Sequence, residues 1–296
     1  LLTLSKQPVP ERQGADVQLS PETFRDLRQA VHKICGLVIS DDKEYLIRDR
    51  LEPIVSEMGI TSFESLCLRL QGSPDDGLIE AVIDAVTTRE TSFFRDPHVF
   101  EALKEHLFPT LAKEAKTRGR PARIWSAAAA NGQEAYSLAM LAFEWMKSFS
   151  SFRTERPPFA ILASDISKAA LHSAKMGIYD ARETARGISP SRLGQFFRPD
   201  GAHYRVLPTL AGVIDFRHVN LCKPFSDVGM FDLICCRNVM IYFDAETRQR
   251  ISRQFHAQLH AGGWLLLGSA ENLYGISTDF ESVRLGAAML YRKKGP

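Results

Sequence analysis

The sequence predicts an α/β fold, a doubly wound and mostly parallel sheet, preceded by a small all-α domain. Three observations carry that expectation. From residue 122 onward, short apolar runs alternate with amphipathic segments, as in chains of βαβ units. Residues 20–88 show only helical periodicity. Between them in importance stands 123–165, which reads as strand, small-residue loop, helix and a strand closing on Asp165. That is the plan of a nucleotide site at the carboxyl ends of strands, where an acid can accept from both ribose hydroxyls. On these residues alone a plain βαβ unit with an incidental acid stays equally open.

Composition narrows the function classes. A length of 296 residues allows two domains, and 45% apolar with 24% charged residues is ordinary for a soluble globular chain. A net charge of +2, with no Lys/Arg block, gives no electrostatic case for nucleic acid. No apolar run reaches membrane-spanning length, and the first residues lack the basic-then-apolar order of a signal peptide. The expectation is a cytoplasmic protein without membrane insertion. Cys35, Cys67, Cys222, Cys235 and Cys236 are odd in number and form no C-x-x-C pair, which predicts reduced thiols and no metal site. Adjacent Cys235 and Cys236 should point to opposite faces of one strand.

Taken in order, residues 1–18 mix prolines and polar residues without periodicity and are expected to be a disordered arm. A helical domain follows over 19–88. Ser20 and Pro21 make a good helix start, Phe24, Leu27, Val31 and Ile34 one apolar face, and Gly36 a stop. A second helix is expected over 42–58, with Ile47, Leu51, Ile54 and Met58 inward, and two shorter ones near 62–71 and 75–86. This stretch is acidic overall, yet Lys43, Arg48 and Arg50 gather on the second helix, which by default is a solvated face. Residues 89–121 hold a polar and aromatic linker motif, then one long helix with Phe100, Leu103, Leu107 and Leu111 inward.

The α/β domain spans 122–296. Its first helix carries Leu138, Leu141, Ala142 and Trp145 at i, i+3, i+4, i+7 spacing. After a helix at 168–175, glycines and prolines break the alternation, so about 176–212 reads as an inserted antiparallel β-subdomain. Runs 204–207 and 213–216 are its candidate strands. The alternation resumes with strands at 216–220 and 231–236, a helix over 244–260 and a strand at 263–268. A hairpin, 282–285 with 288–292, closes the sheet.

Polar residues converge at the strand ends: Gly132 and Glu134, Asp165, Asn220 with Leu221, and Arg237 with Asn238. The first loop lacks G-x-G-x-x-G and no P-loop lysine follows Gly132, which disfavours pyrophosphate and leaves a ligand with ribose but no phosphates. Bland readings stand beside these. Asp165 could cap the next helix, Arg237 could pair with an acid, and Tyr242 could be a core tyrosine.

Four motifs carry a resemblance: Thr87-Thr88…Thr91…Phe94-Arg95; Trp125-Ser126-Ala127…Gly132-Gln133-Glu134…Tyr136-Ser137-Leu138-Ala139; Ala163-Ser164-Asp165-Ile166; and Cys236-Arg237-Asn238-Val239-Met240-Ile241-Tyr242-Phe243-Asp244. In order and spacing, from about residue 20 to 291, the chain resembles the CheR-type chemotaxis receptor methyltransferases. The resemblance implies a class I S-adenosylmethionine-dependent methyltransferase fold, with an antiparallel C-terminal hairpin. It implies transfer of the S-adenosylmethionine methyl to glutamate side chains on the cytoplasmic helices of chemoreceptors, leaving S-adenosylhomocysteine.

It places Arg89, Thr91, Arg95, Gly132, Glu134, Asp165, Asn220, Leu221, Arg237 and Asn238 around the cofactor, and Arg95 and Tyr242 at the reacting groups. Glu134 suits an ammonium, Arg95 a carboxylate. Lys43, Arg48 and Arg50 would face the receptor, and the expected state is a monomer. Arg89 stands where the family usually has Asn, Ala129-Ala130-Asn131 where a Cys/Ala-Ser-Ser/Thr run is usual, and Ala135 replaces a common Pro. Two rivals are a cofactor-binding regulatory module without turnover and a small-molecule carboxyl methyltransferase. In some members the inserted hairpin captures a receptor-tail pentapeptide as an added strand. The short connection at 198–203, with Pro199, predicts independence from such a tether.

Overall fold

The computed structural model describes residues 19–148 and 157–295. The expected arm at 1–18 lies outside the described residues. Four helices come first: α1 (Pro21–Cys35), α2 (Glu44–Glu57), α3 (Phe63–Gln71) and α4 (Asp76–Val86). Ser20 caps α1, accepting from the Thr23 amide, and Gly36 ends it in the left-handed region at φ 73°. Their apolar faces meet in one cluster around Leu27, Val31, Leu51, Phe63 and Val82. The second helix is shorter than expected. A 3-10 turn, Asp41–Lys43, precedes it, and Met58 lies beyond its end, 38% exposed rather than inward.

The expected long helix keeps its inward residues but changes pitch. Helix α5 (Pro97–Ala102) runs through a π-helical turn, Leu103–Leu107, into α6 (Phe108–Arg118). Pro109 has no amide to donate back and its ring crowds the carbonyl of residue 105, so a regular helix cannot pass through it.

The α/β domain is built from β1 (Ala122–Ala127), α7 (Gln133–Ser148), β2 (Phe159–Asp165) and α8 (Lys168–Met176). An insertion follows, with β3 (Ile178–Asp180), α9 (Ala181–Ala185), α10 (Pro190–Phe196), β4 (Phe197–Asp200), β5 (His203–Val206) and α11 (Pro208–Ala211). The remaining elements are β6 (Ile214–His218), β7 (Phe231–Cys236), α12 (Ala245–Gln258), β8 (Leu259–Leu267), β9 (Phe280–Leu285) and β10 (Ala288–Lys293). The main sheet has the order β6-β2-β1-β7-β8-β10-β9. Its first five strands are parallel and the last two form an antiparallel hairpin. This is the class I methyltransferase arrangement.

Both faces of the central strands are buried. Ile124, Leu233 and Cys235 face one core; Trp125, Ile234 and Cys236 face the other. Trp125 meets Phe225 and Phe255 edge-on, at 5.2 and 5.5 Å, and donates its Nε1 proton to Ser164 Oγ at 2.8 Å.

Three sequence expectations are corrected here. The run 213–216 does not belong to the small sheet. Residues 214–218 pair parallel with β2, Ile161 opposite Ile214, and form the edge of the main sheet. The small sheet is instead β3-β5-β4, and its β4–β5 turn is only Gly201-Ala202, since 197–200 is itself strand. The helix expected over 244–260 stops at Gln258. Strand β8 begins at Leu259, opposite Phe231, so His260 is strand rather than helix.

At the amino end of β7, Asp232 is 2% exposed. It accepts from Arg118, from both Arg120 Nη atoms and from the Arg123 amide.

Candidate active site

One cavity opens at the carboxyl ends of β1, β2 and β7. Thr91, Arg95, Glu134, Asp165, Arg237, Asn238 and Tyr242 all line it. Seven of the sequence-predicted site residues thus meet, from four separate stretches of chain. Cys35 and Leu37 complete the wall from the helical domain, and Ile166, Val239 and Phe243 make much of the remainder apolar.

The floor is the loop after β1. Ala128 and Ala130 adopt positive φ, 61° and 48°, a strained state for residues with a Cβ. Two bonds from its amides hold it there, one to the main chain and one to a side chain. The Ala129 amide donates to the Ser164 carbonyl at 2.8 Å, and the Ala130 amide donates to Asp165 Oδ2 at 2.8 Å. The departures at 129–131 therefore alter side chains on a loop held through its amides, one of them by the Asp165 carboxylate. Asn131 contributes its carbonyl to the Tyr179 hydroxyl at 2.6 Å, while its own Oδ1 is buried with no partner among the described residues.

Asp165 is 9% exposed at the end of β2. It does not cap α8; Ser167 does, accepting from the Ala170 amide. The Ser167 amide donates to Asp165 Oδ1 at 2.9 Å. Burial pushes the carboxyl pKa up, and the Ser167 and Ala130 amides with the Arg89 charge pull it only part of the way back. Each oxygen carries one protein bond and keeps a further acceptor site.

Glu134 and Arg237 are coupled. Glu134 accepts from Ser126 Oγ at 2.7 Å and from Arg237 Nη1 at 3.1 Å. Arg237, its side chain 3% exposed, also pairs with Asp96 at 2.7 Å and donates to the Arg95 carbonyl at 2.8 Å. The acid-pairing reading of Arg237 therefore holds. Arg237 lines the cavity and ties the linker to the sheet end.

The linker owes its path to two aromatics. Phe93 packs edge-on to Tyr179 and Phe197, and the Phe94 amide donates to Ser137 Oγ at 2.9 Å. Arg95 then reaches the cavity with its guanidinium on the Glu90 carbonyl at 3.1 Å. No ion pair is recorded for it among the described residues.

Other predicted residues stand apart. Arg89 is not in the cavity wall; it pairs with Asp84 of α4 at 3.0 Å. Gly132 is absent from the wall too. At φ 91°, a Cβ there would come within 2.9 Å of the Ala174 Cβ, so this glycine serves the packing of α8. Asn220 and Leu221 line a smaller adjoining hollow that shares Cys35, Ala128, Ile166, Val239 and Phe243 with the main cavity. Arg48 pairs with Glu44, and Lys43 is exposed. Arg50 donates to the carbonyls of Ala85 and Val86 at the end of α4. The three do not form one free basic patch.

Sequence reasoning missed Asp96, Ser126 and the contribution of the helical domain. The Asn220 amide group donates to the Ile34 carbonyl at 2.9 Å, and the Val38 amide donates to the Tyr242 carbonyl at 2.9 Å. His32 meets Asp244, the cap of α12, at 2.7 Å. No helix among the described residues is long and apolar enough to cross a membrane.

Comparison with known proteins bears on this arrangement. Residues 89–289 match the family model described as CheR methyltransferase, SAM binding domain, and residues 22–87 the one described as CheR methyltransferase, all-alpha domain. A chemotaxis protein methyltransferase of Vibrio anguillarum is 37% identical over 94% of this chain and 99% of its own. Chemotaxis protein methyltransferase 1 of Pseudomonas aeruginosa is 38% identical over 92% and 97%. The chemotaxis protein methyltransferase of Escherichia coli is 35% identical over 88% of each chain.

Proposed function

This chain belongs to the CheR methyltransferase family, whose cofactor is S-adenosylmethionine, and on that premise we propose that it methylates glutamate side chains of chemoreceptors in chemotaxis adaptation. One observation carries the reading. Acceptors for a diol and an ammonium, a cation with no acid partner among the described residues, and an apolar wall share a single cavity. That set fits S-adenosylmethionine, whose ribose, ammonium, carboxylate and apolar parts each find a partner in it.

We assign the ribose hydroxyls to Asp165 and the ammonium to the remaining acceptor sites of Glu134. The adenine goes to the hollow of Asn220 and Leu221. Thr91, Arg237 and Asn238 complete the walls. Arg89 and Gly132 support the site from behind it. Bound there, S-adenosylmethionine supplies an electrophilic methyl group. A glutamate acceptor is already ionised at neutral pH, so no general base is required. The work left to the chain is alignment and exclusion of water. Arg95 is placed to orient a carboxylate, Tyr242 stands in the same wall, and Leu37, Ile166, Val239 and Phe243 keep the cavity dry.

The receptor would meet the helical domain through Lys43 and Arg48, with Arg50 holding the end of α4. A two-residue β4–β5 turn leaves little to grip a peptide end, which supports independence from a receptor-tail pentapeptide.

Incubating the protein with a receptor cytoplasmic fragment and methyl-labelled S-adenosylmethionine should give base-labile methyl esters. Binding without any label would favour the regulatory reading. Arg95→Ala should lower turnover more than S-adenosylhomocysteine affinity. An equal loss in both would confine Arg95 to the cofactor.

A further inference from the structure

The segment that follows β7 is held by a residue outside the cavity. Glu271 does not line the cavity wall, yet its carboxylate accepts from three main-chain amides. These are Gly268 at 2.6 Å, Asn238 at 2.7 Å, both on Oε2, and Ile241 at 3.2 Å on Oε1. The Glu271 amide returns a bond to the Gly268 carbonyl at 2.9 Å. Asn238, bonded to this carboxylate, sits at φ 58°, in the left-handed region that asparagine adopts more readily than most residues with a side chain and that the bond to Glu271 helps to fix. Gly268 makes room for the arrangement. A Cβ there would stand 2.6 Å from Glu271 Oε2 and 2.8 Å from the Asn238 amide nitrogen.

We propose that Glu271 is a positioning residue for the transfer step, clamping Asn238 and Ile241 so that Asn238 and Tyr242 keep their places in the cavity wall. The inference rests on the functional reading above and deepens it. A carboxylate is suited to the task, because its two oxygens offer about four acceptor sites and carry no proton to oppose the amides. Tyr242 lies one residue beyond the clamped Ile241, in the 3-10 turn Met240–Tyr242.

Glu271→Gln tests this at constant volume, since a glutamine must turn an NH2 toward at least one of the three amides. Hydrogen–deuterium exchange across 237–242 should rise about tenfold in the variant. With a receptor fragment as acceptor, kcat should fall about tenfold while KM for S-adenosylmethionine changes less than about threefold. Gly268→Ala should give the same split, and the double variant should lose less than the product of the two. Unchanged exchange, faster exchange with unchanged kcat, or equal changes in kcat and KM would each overturn the proposal. A variant that unfolds would assign Glu271 to the stability of the sheet and overturn it too. A wild-type protein that transfers no methyl would instead defeat the functional reading, while the exchange arm still reports the clamp.

Discussion

Two aspartates at opposite ends of the same parallel sheet show what separates a stabilising site from a receptive one. Asp232, at the amino end of β7, and Asp165, at the carboxyl end of β2, are both buried, 2% and 9% exposed. Around Asp232, burial pushes the pKa up, but the Arg120 guanidinium and the Arg123 amide outweigh it and hold the carboxyl below its ordinary value. Around Asp165 burial wins, and the pKa rises. The difference lies in coordination. Arg118, Arg120 and the Arg123 amide make four bonds to Asp232, which fills a carboxylate. Asp165 receives one amide on each oxygen. A buried acid left half-coordinated by its own chain costs stability unless something else completes it. In open α/β sheets, the ligands that could complete it sit at the carboxyl ends.

Asp232→Ala should break this contrast most severely. Removing one side of a buried ion cluster costs about 3–5 kcal/mol. Arg118 and Arg120 are each about a third exposed, so water takes up part of the loss and the lower end is expected. Denaturant unfolding measures it. The pH dependence carries the sign. Because the folded-state pKa is lowered, the contribution is present above the ordinary aspartate pKa and fades as pH falls through the folded value. Wild type should therefore lose its advantage over the variant on acidification below about pH 4.

Asp165→Ala should weigh more on binding than on stability: the Ala130 and Ser167 amides lose their acceptor, with a smaller fall in melting temperature than Asp232→Ala gives, while S-adenosylhomocysteine affinity drops by at most about 1.5–3 kcal/mol per ribose bond by calorimetry. A fall in melting temperature as large as that of Asp232→Ala would make the two acids equivalent and end the comparison. The smallest effect sharpens it. Arg118→Ala leaves Asp232 with Arg120 and the Arg123 amide, and should cost no more than about 1 kcal/mol.

Much of this was legible in the sequence because it is local. The β1–loop–α7–β2 unit, the linker aromatics and the acid at the strand end announce themselves by spacing. What escaped was set by partners far along the chain. The apolar alternation at 213–216 says strand, but only pairing with Ile161 decides which sheet receives it. Arg50 looks like a surface cation until the carbonyls of Ala85 and Val86 are beside it. Gly132 looks like a ligand glycine until Ala174 occupies the space. Asp96 gives no signal of its own, since its meaning comes from Arg237, 141 residues away. Glu271 is equally silent, being defined by amides rather than by side chains.

The seam between the helical domain and the sheet has a thermodynamic consequence. Cys35 and Leu37 on one side, and Asp165, Asn238 and Phe243 on the other, are walls of the same space. A ligand that fills it touches both domains at once and so acts as a tie between them. Its binding free energy then adds to the cohesion of the interface as well as to the fold of either part. Mass action sets the size of the gain, about 2.7 kcal/mol at a ligand concentration one hundred times its Kd. The two domains should therefore melt together when the cavity is full, and drift toward separate transitions when it is empty.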